Sequence, residues 1–155
     1  MTDFLRRYTL VSYLVALMFI VLSVLDAATN AWPWFFSSEQ WRFGSTGIVS
    51  GYLVSVIFGL LLMSAVAVGR KQRGMLYVVS VTATLLTLFL LALIISYALD
   101  TFQVRNVVRE DQLEMFKIGA AKTAFKIGLS LAVTMVLAFA SYQAAKDAGG
   151  STSRA

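Results

Sequence analysis

Asp26, Glu39, Asp100 and Glu110 stand at the ends of long apolar runs, and paired carboxylates are groups that could do acid–base work. Their placement argues for solvated charges of the connecting segments. None lies inside an apolar run, whereas ion-coupled pumps and proton relays need ionisable groups within the membrane. The 155 residues contain no histidine and no cysteine. Bis-histidine haem, His-bound chlorophyll, imidazole or thiolate metal sites, Ser-His catalysis and disulfides are therefore excluded. Neither a GxxxxGK loop nor a GxGxxG turn is present; Gly44, Gly47 and Gly51 belong to an apolar run and match neither phosphate cradle. The expectation is a protein that is not an enzyme, with no catalytic residue, no cofactor and no metal.

Two other groups could bind rather than react. The stretch NAWPWFFSSEQWRFG, residues 30–44, holds all three tryptophans and the single proline. Trp32, Trp34, Phe35, Phe36 and Trp41 are of the types that collect at the headgroup level of a membrane, which reads as an anchoring loop, re-entrant or lying on the surface. The functional alternative is a pocket for a quinone, pigment, lipid tail or sugar, because such ligands stack on indoles. Lys122 and Lys126 lie four apart, on one face of a helix. They read as side chains reaching lipid phosphates, with a dedicated anion site as the alternative.

The elements that would position these residues follow from hydropathy. The chain is 59% hydrophobic, only 14% charged, and has a mean hydropathy of +0.77. Residues 8–25, 43–69, 74–99 and 127–145 carry no Asp, Glu, Lys or Arg. Each run, with its interfacial flanks, supplies the roughly 20 residues needed to cross a hydrocarbon core of about 30 Å. The predicted fold is an all-α membrane protein, a four-transmembrane-helix bundle. It forms a single domain over 1–146, with spans at about 8–27, 44–69, 74–99 and 120–145, and a flexible tail over 147–155. The first run is too long for the apolar core of a signal peptide and reads as a retained span.

Orientation comes from the basic residues. With the N-terminus inside, the inner segments hold seven Lys and Arg against two acidic residues, and the outer segments six against six. The compact Arg70-Lys71-Gln72-Arg73 turn supports that arrangement, with both termini cytoplasmic. A sequence pI of 9.7 then reflects topology and attraction to anionic lipid headgroups, not nucleic-acid binding.

Small residues at every fourth position mark faces for close helix packing in lipid. The second span carries Gly47, Gly51, Ser55 and Gly59, and the fourth carries Ala120, Ala124, Gly128 and Ala132. These two spans are expected to pack on each other, with a face toward another subunit as the alternative. Asp111 and Glu114 have capping-box spacing, so the fourth helix is expected to start near 111 and to project beyond the membrane. A faint internal echo, in which spans one and three both end in Leu-Asp at Asp26 and Asp100, reads as coincidence within an apolar alphabet.

Trp41-Arg42-Phe43-Gly44, followed by the glycine-marked second span, resembles a recurring pattern in small four-span bacterial inner-membrane proteins to which no function is assigned. The resemblance implies a multi-pass location in the bacterial cytoplasmic membrane and brings no catalytic residue with it. The expected role is an accessory or assembly subunit that packs against a larger membrane complex or against itself. Its expected partners are membrane lipids and a protein partner or a second copy. The alternative is a small oligomeric transporter or a membrane protein binding a hydrophobic ligand, with Tyr52, Tyr97 and the outer lysines along its path.

Overall fold

The computed structural model describes residues 2–150, and their side chains from 8 to 149. Among the described residues there is no strand. The chain forms α1 (Thr2–Asn30), α2 (Glu39–Gly69), α3 (Arg73–Arg105) and α4 (Leu113–Gly150), with one 3-10 turn over Glu110–Gln112. All four helices are long and apolar enough to cross a membrane, the architecture of a multi-pass membrane protein. Helices are the economical solution there, because every interior backbone N–H and C=O finds its partner within its own segment.

The elements end where the sequence supplies stops. α1 terminates at Asn30, three residues before Pro33. Ser38 caps α2 with extended backbone angles, and its hydroxyl accepts from the Trp41 amide at 3.3 Å. The α2–α3 turn is a Schellman closure. The Gln72 amide bonds the Ala67 carbonyl at 2.9 Å and the Lys71 amide bonds the Val68 carbonyl at 3.0 Å. Lys71 takes the left-handed position, with φ 51°, where glycine is usual.

Three helices form the core. Buried residues recur every seventh position: Thr46, Leu53, Leu60 and Ala67 on α2; Leu76, Ala83, Leu90, Tyr97 and Val104 on α3; Ala120, Ile127, Thr134 and Ser141 on α4. Ser50 and Ile57, Val79 and Ser80, and Ser130 and Leu137 fill the intervening positions. This is a heptad seam, the 3.5-residue repeat by which one face of each helix keeps to its neighbours. Buried hydroxyls cross it: Thr87 lies 3.0 Å from Thr134, Ser64 lies 3.1 Å from Ser141, and Ser80 donates to the Ala138 carbonyl at 2.9 Å.

The α1 backbone runs close to α2 alone, and only side chains such as Ile20 reach toward the core shared by α2, α3 and α4. Ala16 and Ser23 are buried in the α1 seam beside Ile20 and the Phe19–Phe58 ring pair, and α1 comes close to α2 at Gly59. A Cβ there would stand 2.7 Å from the Ala16 carbonyl oxygen. The architecture is thus the expected all-α arrangement of four helices, with α2, α3 and α4 around one core and α1 on the flank of α2. Arg70 bonds Thr9 at 2.8 Å, Tyr13 bonds Gln72, and the Arg73 guanidinium lies against Gly149. The start of α1, the α2–α3 turn and the end of α4 therefore share one end of the molecule, and the aromatic loop occupies the other.

The helices overrun the expected spans. α3 continues six residues past Leu99, and residues 147–150, expected in the tail, are helical; 151–155 lie outside the described residues. α4 begins at Leu113, directly after the 3-10 turn over Glu110–Gln112, but the capping box is not formed. Residue 111 sits in the 3-10 turn, and Glu114 pairs with Lys117 at 2.8 Å instead of turning back to complete a capping box.

Candidate functional site

The backbones of α1 and α3 stand apart on either side of α2, and at the loop end they leave between them a cavity of about 330 Å3. Ala27, Ala28 and Ala31 line it from α1, and Phe89, Leu93 and Ser96 from α3. At about 1.5 Å per residue, Phe89 to Ser96 spans two helical turns, so the cavity reaches some 10 Å into the bundle. The small α1 residues hold the walls apart without filling the space.

The roof is aromatic. Trp32 and Trp34 meet edge to face at 5.4 Å, Trp34 and Phe36 at 6.3 Å, and Phe36 and Trp41 edge to face at 5.0 Å, a continuous ladder from the loop onto α2. Two backbone carbonyls, one at the end of α1 and one just past it, anchor the ladder: the Trp34 indole donates to Ala28 at 3.4 Å and the Trp41 indole to Ala31, the residue after the helix, at 3.1 Å. Trp32, Phe35 and Phe36 are more than half exposed, as suits residues at a lipid headgroup level. Beside the ladder, Asn30 donates to the Tyr52 hydroxyl at 2.9 Å, tying the end of α1 to α2.

Arg42 sits at the mouth of the cavity and joins three elements. Its Nη2 lies 2.7 Å from the Asp100 carboxylate, its Nε shares both carboxylate oxygens at 3.1 and 3.2 Å, and its Nη1 donates to the Phe36 carbonyl at 2.9 Å. The Asp100 side chain is 4% exposed and that of Arg42 33%. This corrects the reading of Asp100 as a solvated loop charge. α3 does not end at the first charge; it runs on, and Asp100 continues the spacing of Val79, Leu86 and Leu93 into the helix interface. A buried carboxylate persists only with a partner of this kind. Behind it, Phe43 stacks between Tyr97 and Phe116, 5.1 Å from each ring, locking α2, α3 and α4 together.

The other residues singled out by sequence scatter. Gly47 approaches Thr123 of α4, and Gly59 approaches α1. Gly51 and Gly128 have open space where a Cβ would be. Ser55 and Ala124 are half-buried, and Ala132 is exposed. A strict four-residue step advances about 400°, so a small-residue stripe rotates some 40° per step and cannot follow one neighbour. The heptad seam does instead. Lys122 is exposed and Lys126 half-buried on α4, apart from the cavity. Tyr52 and Tyr97 line no common path: one is bonded at the α1–α2 contact and the other is sealed in the aromatic stack. Among the described residues, no three Asp, Glu, His or Cys side chains gather to hold a metal.

No family model matches the chain, and neither a curated protein nor a solved structure is similar to it.

Proposed function

We propose that this chain is a non-enzymatic accessory or assembly subunit of the bacterial inner membrane, with both termini in the cytoplasm, that packs on a larger membrane complex or on a second copy of itself. One observation carries the reading. The heptad seam satisfies the packing of α2, α3 and α4 within the chain, and it leaves Gly51 and Ala132 facing outward. In lipid no hydrophobic force drives helices together, so small residues matter where another backbone comes close. Within the chain a Cβ at Gly51 would meet nothing within 4 Å, and Ala132 is exposed. The seam also argues against a transporter: the Thr87–Thr134 and Ser64–Ser141 hydroxyls are paired with each other, Ser80 is held by the Ala138 carbonyl, and most of the residues between them are Leu, Ile, Val and Ala.

The test is Gly51→Leu combined with Ala132→Leu, with particle mass in mild detergent and the proteins purified alongside as readouts. A smaller particle or loss of a stoichiometric partner, with the melting temperature unchanged, supports the reading. A wild-type protein that is monomeric and purifies alone defeats it. Membrane-impermeant labelling of single cysteines placed at residues 71 and 37 tests the orientation, with only residue 37 expected to react from outside.

A further inference from the structure

We propose that the cavity beneath the aromatic loop is a binding site for a quinone-type lipid: a flat, uncharged ring bearing a carbonyl oxygen, with an apolar tail. Four features select that chemistry. Trp34, Phe36, Trp41 and Phe89 line the cavity, and aromatic faces favour a flat ring over a flexible chain. The polar group at its mouth is a hydrogen-bond donor. Arginine carries five N–H donors; Asp100 and Phe36 take three of them, which leaves one on each terminal nitrogen of a side chain one-third exposed.

The donor carries no net charge to attract a phosphate, because Asp100 balances the guanidinium at 2.7 Å. A neutral acceptor such as a ring carbonyl therefore fits the free N–H groups better than an anionic headgroup, which would bring a second negative charge beside the Asp100 carboxylate. Size agrees: about 330 Å3 lies at the small end of ligand pockets, enough for a substituted ring and too little for a two-chain phospholipid. Finally, the α1 and α3 backbones stand apart where they line the cavity, so a tail can leave sideways between them into the bilayer without crossing the core of α2, α3 and α4.

The experiment uses the full chain in bilayer discs of zwitterionic phospholipid, titrated with a short-tailed benzoquinone. Tryptophan fluorescence is the readout, since two of the three indoles line the cavity. Saturable quenching is expected. Val49→Phe, which fills the cavity, should weaken the apparent affinity at least tenfold while leaving helix content and melting temperature unchanged; Ala28→Leu serves the same purpose from the α1 wall if the first variant folds poorly. Quenching that rises linearly without saturation, and equally in the filled variants, means simple partition into the bilayer and overturns the site. So does saturable quenching that excess anionic phospholipid reverses, which would assign the cavity to a lipid chain. Gly51→Leu lies outside the cavity and should leave the titration unchanged, so failure of the subunit reading and failure of this site are separately visible.

Discussion

Arg42 and Asp100 hold each other across the α2–α3 interface, with Nη2 at 2.7 Å and Nε at 3.1 and 3.2 Å from the carboxylate oxygens. The same guanidinium reaches the Phe36 carbonyl at 2.9 Å. One side chain thus fixes the register of two helices and the position of the aromatic loop. Hydrogen bonds between charged groups are stronger and more directional than neutral ones, which suits a joint that must hold geometry at a lipid–water boundary.

Removing either partner should therefore cost more than removing both. Asp100→Leu strands the guanidinium against an apolar neighbour, and Arg42→Leu strands a carboxylate that is 4% exposed. The double variant leaves two apolar side chains in contact. Melting temperatures in detergent should fall in each single variant and recover partly in the double one. Asp100→Asn, which keeps an acceptor for Nη2, should fall least. Strictly additive losses across this cycle would show that the pair does not couple the helices.

At Gly59 the backbones of α1 and α2 leave no room for a side chain, since a Cβ would meet the Ala16 carbonyl oxygen at 2.7 Å. Backbone cannot yield as a side-chain tip can. Gly59→Val should destabilise by about 1–3 kcal/mol, the range for overpacking, and should loosen α1 in particular. Gly51→Ala meets nothing within 4 Å and should change stability by less than about 0.5 kcal/mol. Thermal shift together with protease access to the α1–α2 loop distinguishes the two. Equal effects at both positions would mean that the α1–α2 contact is misplaced.

The long elements were legible in the sequence because lipid makes hydropathy decisive: four charge-free runs became four helices. The packing was legible in principle but under a different period. Leu76, Ala83, Leu90 and Tyr97 recur every seven residues, a signal that uniform apolarity hides, because in a run of Leu and Val the buried and lipid-facing positions have the same composition. The site was less legible. Asp26 and Asp100 both follow a leucine at the end of an apolar run, yet one is exposed and the other buried. The difference lies in Arg42, 58 positions away, and only the fold brings it within reach. Extending the heptad one step beyond Leu93 would have pointed inward at Asp100. The aromatic loop was correctly located as a cluster, but the cavity beneath it depends on α1 standing off from α3, which no local pattern encodes.

The buried hydroxyl pair Thr87–Thr134 invites an overestimate. Thr134 is fully buried and 3.0 Å from Thr87, but it also donates to the Ser130 carbonyl at 2.9 Å, and Thr87 has the Ala83 carbonyl at 2.8 Å. Each hydroxyl thus has an acceptor on its own helix. Hydrogen bonds between membrane helices average about 0.6 kcal/mol, and this one has such alternatives on both sides. Thr134→Val, nearly equal in volume, should therefore cost less than about 1 kcal/mol. A Leu90→Ala change in the same seam should cost about 2–5 kcal/mol by opening a void. Equilibrium unfolding in mixed micelles compares the two, and a Thr134→Val cost as large as that of Leu90→Ala would put the weight of the core on its polar pair.

Lys71 is the one non-glycine residue held at positive φ among those described, and it sits where the Schellman turn needs a left-handed residue. For an L-residue with a Cβ this conformation costs roughly 1–2 kcal/mol, and glycine largely escapes the cost. Part of the gain is lost because glycine is also freer in the unfolded chain. Lys71→Gly should therefore raise the melting temperature modestly, by the equivalent of up to about 1 kcal/mol, while Lys71→Val should lower it, because a β-branched side chain tolerates that region least. On the orientation proposed above, Arg70 and Arg73 still mark the inner side in both variants, so impermeant labelling should give the same topology as in the parent. A Lys71→Gly protein with unchanged stability and inverted labelling would show that this lysine was retained for its charge in setting the threading of the chain, with the turn geometry secondary.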